Sequence, residues 1–193
     1  MRIVAGQFRG RNLAAPPGSA TRPTSDRTRQ ALFNILEHGG LAAEGSPVAG
    51  SVVLDAFAGT GALGLEALSR GASTAFFFEQ APAALTCLRH NIQALGQGER
   101  CTVFAGDVLR PPRPPGPCSL VFLDPPYHKG LVPAALDQLT RIGWVGAGAL
   151  VVAEIGADED LTPPLEYTIL DKRLYGASQL LFIRTPSHFR INP

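Results

Sequence analysis

From residue 51 onward, short and nearly continuous apolar runs alternate with longer stretches in which apolar residues return every three or four positions. The runs Ser51–Phe57, Thr74–Glu79, Cys101–Ala105, Cys118–Leu123 and Ala149–Ile155 predict strands. Ala83–Leu95 predicts a helix: Leu85, Leu88, Ile92 and Leu95 form one stripe, Pro82 suits the first turn and Gly96 the stop. Leu131–Ile142 repeats the pattern with Val132, Ala135, Leu136 and Leu139 on one face and Gly143 beyond. Continuous apolar strands between amphipathic helices predict an α/β fold whose mostly parallel sheet is covered on both faces. The end of the chain differs. Glu166–Leu174 and Ser178–Arg184 are separated only by Tyr175-Gly176-Ala177. So short a connection permits only an antiparallel hairpin. Arg110–Pro117, with five prolines, predicts a surface loop.

Ahead of the alternation, Arg2–Leu13 sets Ile3, Ala5 and Phe8 against Arg2, Gln7 and Arg9, with Gly6 and Gly10 as breaks. A short hairpin or extended arm is expected, followed by a loop over Ala14–Thr24. Ser25 or Asp26 then caps a helix to about Glu37, with Ala31, Leu32, Ile35 and Leu36 on one face and Arg27 and Arg29 off it. Gly39–Gly50 is expected to be a flexible connection into the sheet. The organisation expected is an arm over residues 1–24 and one domain over residues 25–193.

Charge changes this picture. The net charge is +1, but residues 1–30 hold six arginines and one acid, Asp26, so they carry +5 and the remainder −4. A basic arm on a faintly acidic body suits a polyanion. The 193 residues are 45% hydrophobic and 17% charged, no apolar run reaches the ~18 residues of a membrane helix, and the N-terminus has no apolar signal segment. A cytoplasmic protein is expected. Cys87, Cys101 and Cys118 lack metal-ligand spacing and read as buried, reduced thiols.

The candidate chemistry begins where the first run ends. Asp55 leads into Gly59, Gly61 and Gly64, spaced G-x-G-x-x-G, and then into a helix-forming segment. Glycines let a backbone turn sharply and approach a ligand, and a helix start offers free N–H groups. Dinucleotides, nucleoside phosphates and S-adenosylmethionine (AdoMet) all use such a place. Asp55 would repel a pyrophosphate and attract the ammonium or sulfonium end of AdoMet. Glu79, ending the second strand, can accept from ribose hydroxyls, and Asp107, after the third, from an adenine amine. No Walker lysine, hydrolytic triad or zinc spacing is present, and Asp158-Glu159-Asp160 reads as a solvated loop. A second motif, Asp124-Pro125-Pro126-Tyr127, closes a buried strand. Two prolines fix the backbone and remove two donors, leaving carbonyls and the Asp124 carboxylate to hold a planar –NH2, with Tyr127 as a stacking face. The amine's base must be unstacked or already single-stranded.

The Asp55–Gly61 turn together with Asp124–Tyr127 resembles the class I AdoMet-dependent methyltransferases that modify exocyclic amines. The segments Gly6–Arg11, Arg22–Leu36 and Asp55–Arg70 resemble the RsmD family, and that resemblance spans essentially the whole chain. It implies methylation of N2 of a guanine, the position-966 type, in 16S rRNA of the small ribosomal subunit. It implies a Rossmann-like seven-stranded sheet with its last strand antiparallel. It implies cofactor contacts at Asp55, Phe57, Gly59, Gly61, Glu79 and Asp107, a target amine at Asp124, Pro125, Pro126 and Tyr127, and RNA contacts at Arg9, Arg11, Arg22, Arg27 and Arg29. Gln80 stands where a charged residue is expected in relatives. A monomer without a membrane or metal partner is expected. The alternatives are a DNA adenine-N6 methyltransferase, a non-catalytic AdoMet- or RNA-binding module, and a protein glutamine methyltransferase.

Overall fold

The structure, a computed structural model, describes residues 1–17, 26–43, 45–164 and 166–189. Arg22 and the capping candidate Ser25 lie outside them. The strands are β1 (Val52–Asp55), β2 (Thr74–Glu79), β3 (Cys101–Ala105), β4 (Cys118–Leu123), β5 (Val145–Gly156), β6 (Thr168–Tyr175) and β7 (Ser178–Arg184). The helices are α1 (Asp26–His38), α2 (Ala62–Ser69), α3 (Pro82–Ala94) and α4 (Leu131–Ile142). All seven strands join one sheet in the order β3-β2-β1-β4-β5-β7-β6. β1 to β5 pair in parallel, and β7 runs antiparallel between β5 and β6. The hairpin expected at the end of the chain is therefore present, and β7, not β6, is the strand against β5.

The strand period splits the core in two. Val53 and Phe77 point to the face covered by α1, α2 and α3, while Leu54, Phe76 and Phe78 point to the face covered by α4. On that second face Trp144 meets Phe76, Phe78 and Phe104 edge-on, and its indole N–H donates to Pro112 O at 2.8 Å. The proline-rich loop thus helps to close a face where a crossover helix would otherwise lie.

The arm is an irregular turn with one antiparallel bridge, Arg2 to Asn12, and it is not loose. Ile3 and Leu13 enter the core on the α1–α3 face. Gly6 sits at φ +77 so tightly against Ser69 that a Cβ would overlap its backbone. Ser69 and Glu66 of α2 then take the arm's polar atoms. Glu66 accepts the Val4 and Ala5 N–H at 2.8 and 3.0 Å, and Ser69 Oγ accepts that of Phe8 at 2.9 Å. On α3, Asn91 exchanges hydrogen bonds with the N–H and carbonyl of Ala14. Two differences from the pattern-based expectation are local. Gly39–Gly50 includes a 3-10 turn, Gly40–Ala42. β5 begins at Val145, before a register shift that lets Gly146–Gly148 bulge away from β4.

Candidate methyl-transfer site

β1 and β4 are neighbours at the point where the strand order reverses, so a crevice opens at their C-terminal ends. The backbone ties the two rims together: Ala56 N–H donates to Phe122 O at 3.0 Å and Ala58 N–H to Phe78 O at 2.9 Å. The glycine turn therefore hangs between β2 and β4, beside Asp124–Tyr127.

The three glycines serve different ends. Gly59 has φ +54 and faces open space where a Cβ would project. Gly61 has φ +83 and starts α2; a Cβ there would overlap Leu88. Gly64 lies within α2, and a Cβ would overlap the Phe77 ring. The turn needs left-handed backbone twice, close helix–sheet packing once, and leaves room only above Gly59.

Asp55 is 1% exposed. Its Oδ2 accepts Gly64 N–H at 3.0 Å, at the N-terminal end of α2. Burial pushes its pKa up to about 7, against the pull of the Gly64 amide and with the help of the nearby Glu79 charge. Glu79 is half-buried. Its Oε2 accepts Gly59 N–H at 2.7 Å, and its Oε1 accepts those of Gln80 and Ala81 at 2.8 and 2.7 Å. A carboxylate has about four acceptor positions, so Oε2 keeps one acceptor position beyond its bond from Gly59. Phe57 is half-buried in the turn. Asp107 is exposed beyond β3, with Oδ1 accepting Leu109 N–H at 2.9 Å. Two mutually repelling carboxylates beside an open glycine suit a cationic ligand carrying hydroxyls.

Across the crevice, Pro125 is buried, Pro126 exposed, and Asp124 and Tyr127 half-buried. Pro125, Pro126 and Tyr127 border a recess of about 70 Å³ that Glu154, Glu159 and Lys129 also line. Tyr127 donates to Glu154 Oε1 at 2.5 Å, and burial followed by this carboxylate raises its phenol pKa. Glu159 does not stay in solvent as its acidic neighbours suggested: it accepts Gly156 N–H at 2.7 Å, whereas Asp158 is exposed. Burial pushes the Cys101 and Cys118 thiols up to about 12, away from the thiolate form that a nucleophile needs. Among the described residues no group could hold a metal, and no helix is long and apolar enough to cross a membrane.

Of the arginines expected to meet RNA, Arg9, Arg11 and Arg27 are exposed, although Arg11 donates to Ala94 O at 2.9 Å. Arg29 is different. It is 0% exposed, pairs with Asp26 at 2.9 Å and Glu66 at 3.5 Å, and donates to Arg2 O. A guanidinium so enclosed has no face for a phosphate, and Arg29 leaves the RNA set. Glu66, Asn91 and Glu154 were not among the residues expected; of the three, Glu154, an acid within the apolar run Ala149–Ile155, carries a usable signal, whereas Asn91 follows Arg89 and His90.

A seven-stranded sheet with only its last strand reversed and a glycine turn at its switch point defines the class I methyltransferase fold. Within that class the chain belongs to the RsmD family, whose model, described as conserved hypothetical protein 95, matches residues 1–184. The chain is 35% identical over 180 residues to ribosomal RNA small subunit methyltransferase D of Haemophilus influenzae, covering 91% of this chain and 89% of that protein. The protein of the same name from Escherichia coli is 35% identical over 178 residues, covering 91% and 85%. Among solved structures, the yhhF protein of Escherichia coli superposes with a TM-score of 0.82 at 32% identity, over 97% of this chain and 99% of that one. An RNA methyltransferase of Salinibacter ruber, solved with S-adenosyl-L-homocysteine, shares the fold at a TM-score of 0.64 and 13% identity, over 88% and 97%.

Proposed function

We propose that this protein transfers a methyl group from AdoMet to the exocyclic N2 amine of a guanine, of the position-966 type, in 16S rRNA of the small ribosomal subunit. The observation that carries the reading is the adjacency of β1 and β4, which opens the Asp55–Gly61 turn and Asp124–Tyr127 onto one crevice. Relatives named for small-subunit rRNA methylation support the substrate class.

AdoMet supplies a methyl already activated on a sulfonium, so the chain contributes position and charge. Asp55 and Glu79 would hold its cationic and hydroxyl-bearing parts, with Phe57, Gly59, Gly61 and Asp107 completing the cradle. Asp124 and the Pro125 carbonyl accept the two amine N–H groups and aim the nitrogen lone pair. Asp124 takes the proton that the amine gives up. Pro126 stiffens the turn, and Tyr127 offers its ring to the base. Arg9, Arg11 and Arg27, with Arg22, hold RNA phosphates and so fix register and not sequence. The protein acts as a monomer in the cytoplasm.

Radiolabelled methyl transfer to naked RNA, small subunits and DNA in parallel tests this, with the modified nucleoside identified by mass. N2-methylguanine is expected, and N6-methyladenine would overturn the assignment. An Asp124→Ala variant should bind AdoMet normally and lose about 100-fold or more in transfer rate. Near-normal turnover in that variant would remove Asp124 from the mechanism.

A further inference from the structure

The geometry points to Glu154 as a positioning residue that sets the plane of the Tyr127 ring, and through it the presentation of the target amine to Asp124. This rests on the reading of Asp124–Tyr127 as the target site.

The register of the sheet brings the parts together. β4 pairs with β5 through Leu123 and Ala153, so the next residues, Asp124 and Glu154, stand at one level on neighbouring strands. The chain leaves β4 at Asp124, passes two prolines, and returns its third side chain to that level, where Tyr127 Oη meets Glu154 Oε1 at 2.5 Å. Asp124–Tyr127 is thus a closed loop, stapled back to the sheet by a charge-assisted hydrogen bond to Glu154, with Ser178 of β7 a second partner of the phenol.

Both ends of the staple are fixed. Glu154 is 6% exposed and lies mid-sheet, paired with Leu180 of β7 on its other side. A carboxylate in a central apolar strand is costly unless it is partnered, and the phenol is such a partner. The phenol stays protonated, because its surroundings push its pKa upward, and a neutral Tyr donates where the carboxylate can only accept. Immediately after Tyr127 the backbone takes φ +60 at His128, whose ring sits 3.7 Å from Asp158 and 4.0 Å from Glu159. The ring is therefore held at its tip by β5 and at its backbone by a turn facing the loop after β5. With its hydroxyl turned inward, Tyr127 presents a face to the recess and takes no proton itself. In this role Glu154 acts through Tyr127.

Single-turnover methyl transfer by the full chain, with small subunits as substrate, tests this in Glu154→Leu, Glu154→Gln, Tyr127→Phe and the Leu/Phe double variant. Glu154→Leu and Tyr127→Phe should each slow transfer roughly tenfold or more, and the double variant should be no slower than the slower of the two, since both break the Tyr127–Glu154 contact. Glu154→Gln, which keeps an acceptor, should stay within a few-fold of wild type. AdoMet affinity should be unchanged throughout. The Tyr127 hydroxyl proton should be visible by NMR in wild type and lost in Glu154→Leu. Multiplying losses in the double variant, or wild-type rates in Glu154→Leu, would overturn the positioning role alone. A wild type that transfers no methyl to any guanine would overturn the site reading and this inference with it.

Discussion

At the scale of single residues, Asp55 is the most informative group. It is a buried carboxyl whose charged form is disfavoured by burial and by Glu79, and favoured only by the Gly64 amide. Its folded pKa, about 7, lies above the usual 3.8. The folded state therefore binds the extra proton between those values. The stability from this group is complete below about pH 3.8 and lost as pH rises through about 7. A cationic ligand reverses the preference, because it favours the carboxylate. AdoMet affinity should thus fall as pH drops below about 7, by at most ~10-fold per unit, with proton release on binding. Asp55→Asn should bind more weakly and with a flat profile. Calorimetry in buffers of different ionisation enthalpy reads both quantities, and a flat wild-type profile would mean that Asp55 does not sense the cofactor's charge.

At the scale of elements, the arm and α2 depend on each other. Glu66, 0% exposed, compensates Arg29 and Arg70 and receives two arm amides, while Arg70 also reaches Glu37 at 2.5 Å and lies over the Phe33 ring. Removing it leaves two buried cations and two amides short of an acceptor. Glu66→Ala should cost about 3–5 kcal/mol in denaturant unfolding, and hydrogen exchange should show the Val4 and Ala5 amides losing protection before β1 does. Equal protection in both proteins would mean that the arm is held by Ile3 and Leu13 instead. This network was not legible in the sequence, for a definite reason. Glu66 and Arg70 stand four apart on a helix, the spacing of an ordinary solvated pair. Periodicity says which face of α2 is apolar; it does not say that another element covers the polar one. For the same reason Arg29 read as an exposed charge.

At the scale of the whole molecule, the elements themselves were legible. Each strand was bracketed by glycine or polar residues, and the one clear boundary error, β5 read from Ala149, arose where Gly146 and Gly148 disguise a bulge as a turn. The strand order could not be read from periodicity, since β1 and β4 lie more than sixty residues apart; resemblance implied only seven strands with the last one antiparallel. Electrostatics also belongs to this scale. The exposed arginines proposed for RNA, Arg9, Arg11 and Arg27, lie on the arm and the start of α1, and each phosphate contact they made would release counterions. Arg9→Ala, Arg11→Ala and Arg27→Ala should each weaken RNA binding and lower the slope of log affinity against log salt by about 1. Filter binding across a salt series checks this. Arg29→Ala should instead lower the melting temperature and leave the slope of the folded protein unchanged.

Asn91 has a consequence for the order of events during synthesis. It is 1% exposed, and while it grips Ala14 it also donates to Thr60 O, inside the glycine turn, at 3.0 Å. The arm's polar contacts to α2 and α3 span 61 to 83 residues. At roughly 5–20 residues per second of translation, the arm waits several seconds for its seat to emerge. Throughout that interval Ile3 and Leu13 have nowhere to go, and the turn lacks one of its struts. The earliest-made segment thus waits for α3 before it can be placed, and its docking comes together with the Asn91 strut to the glycine turn.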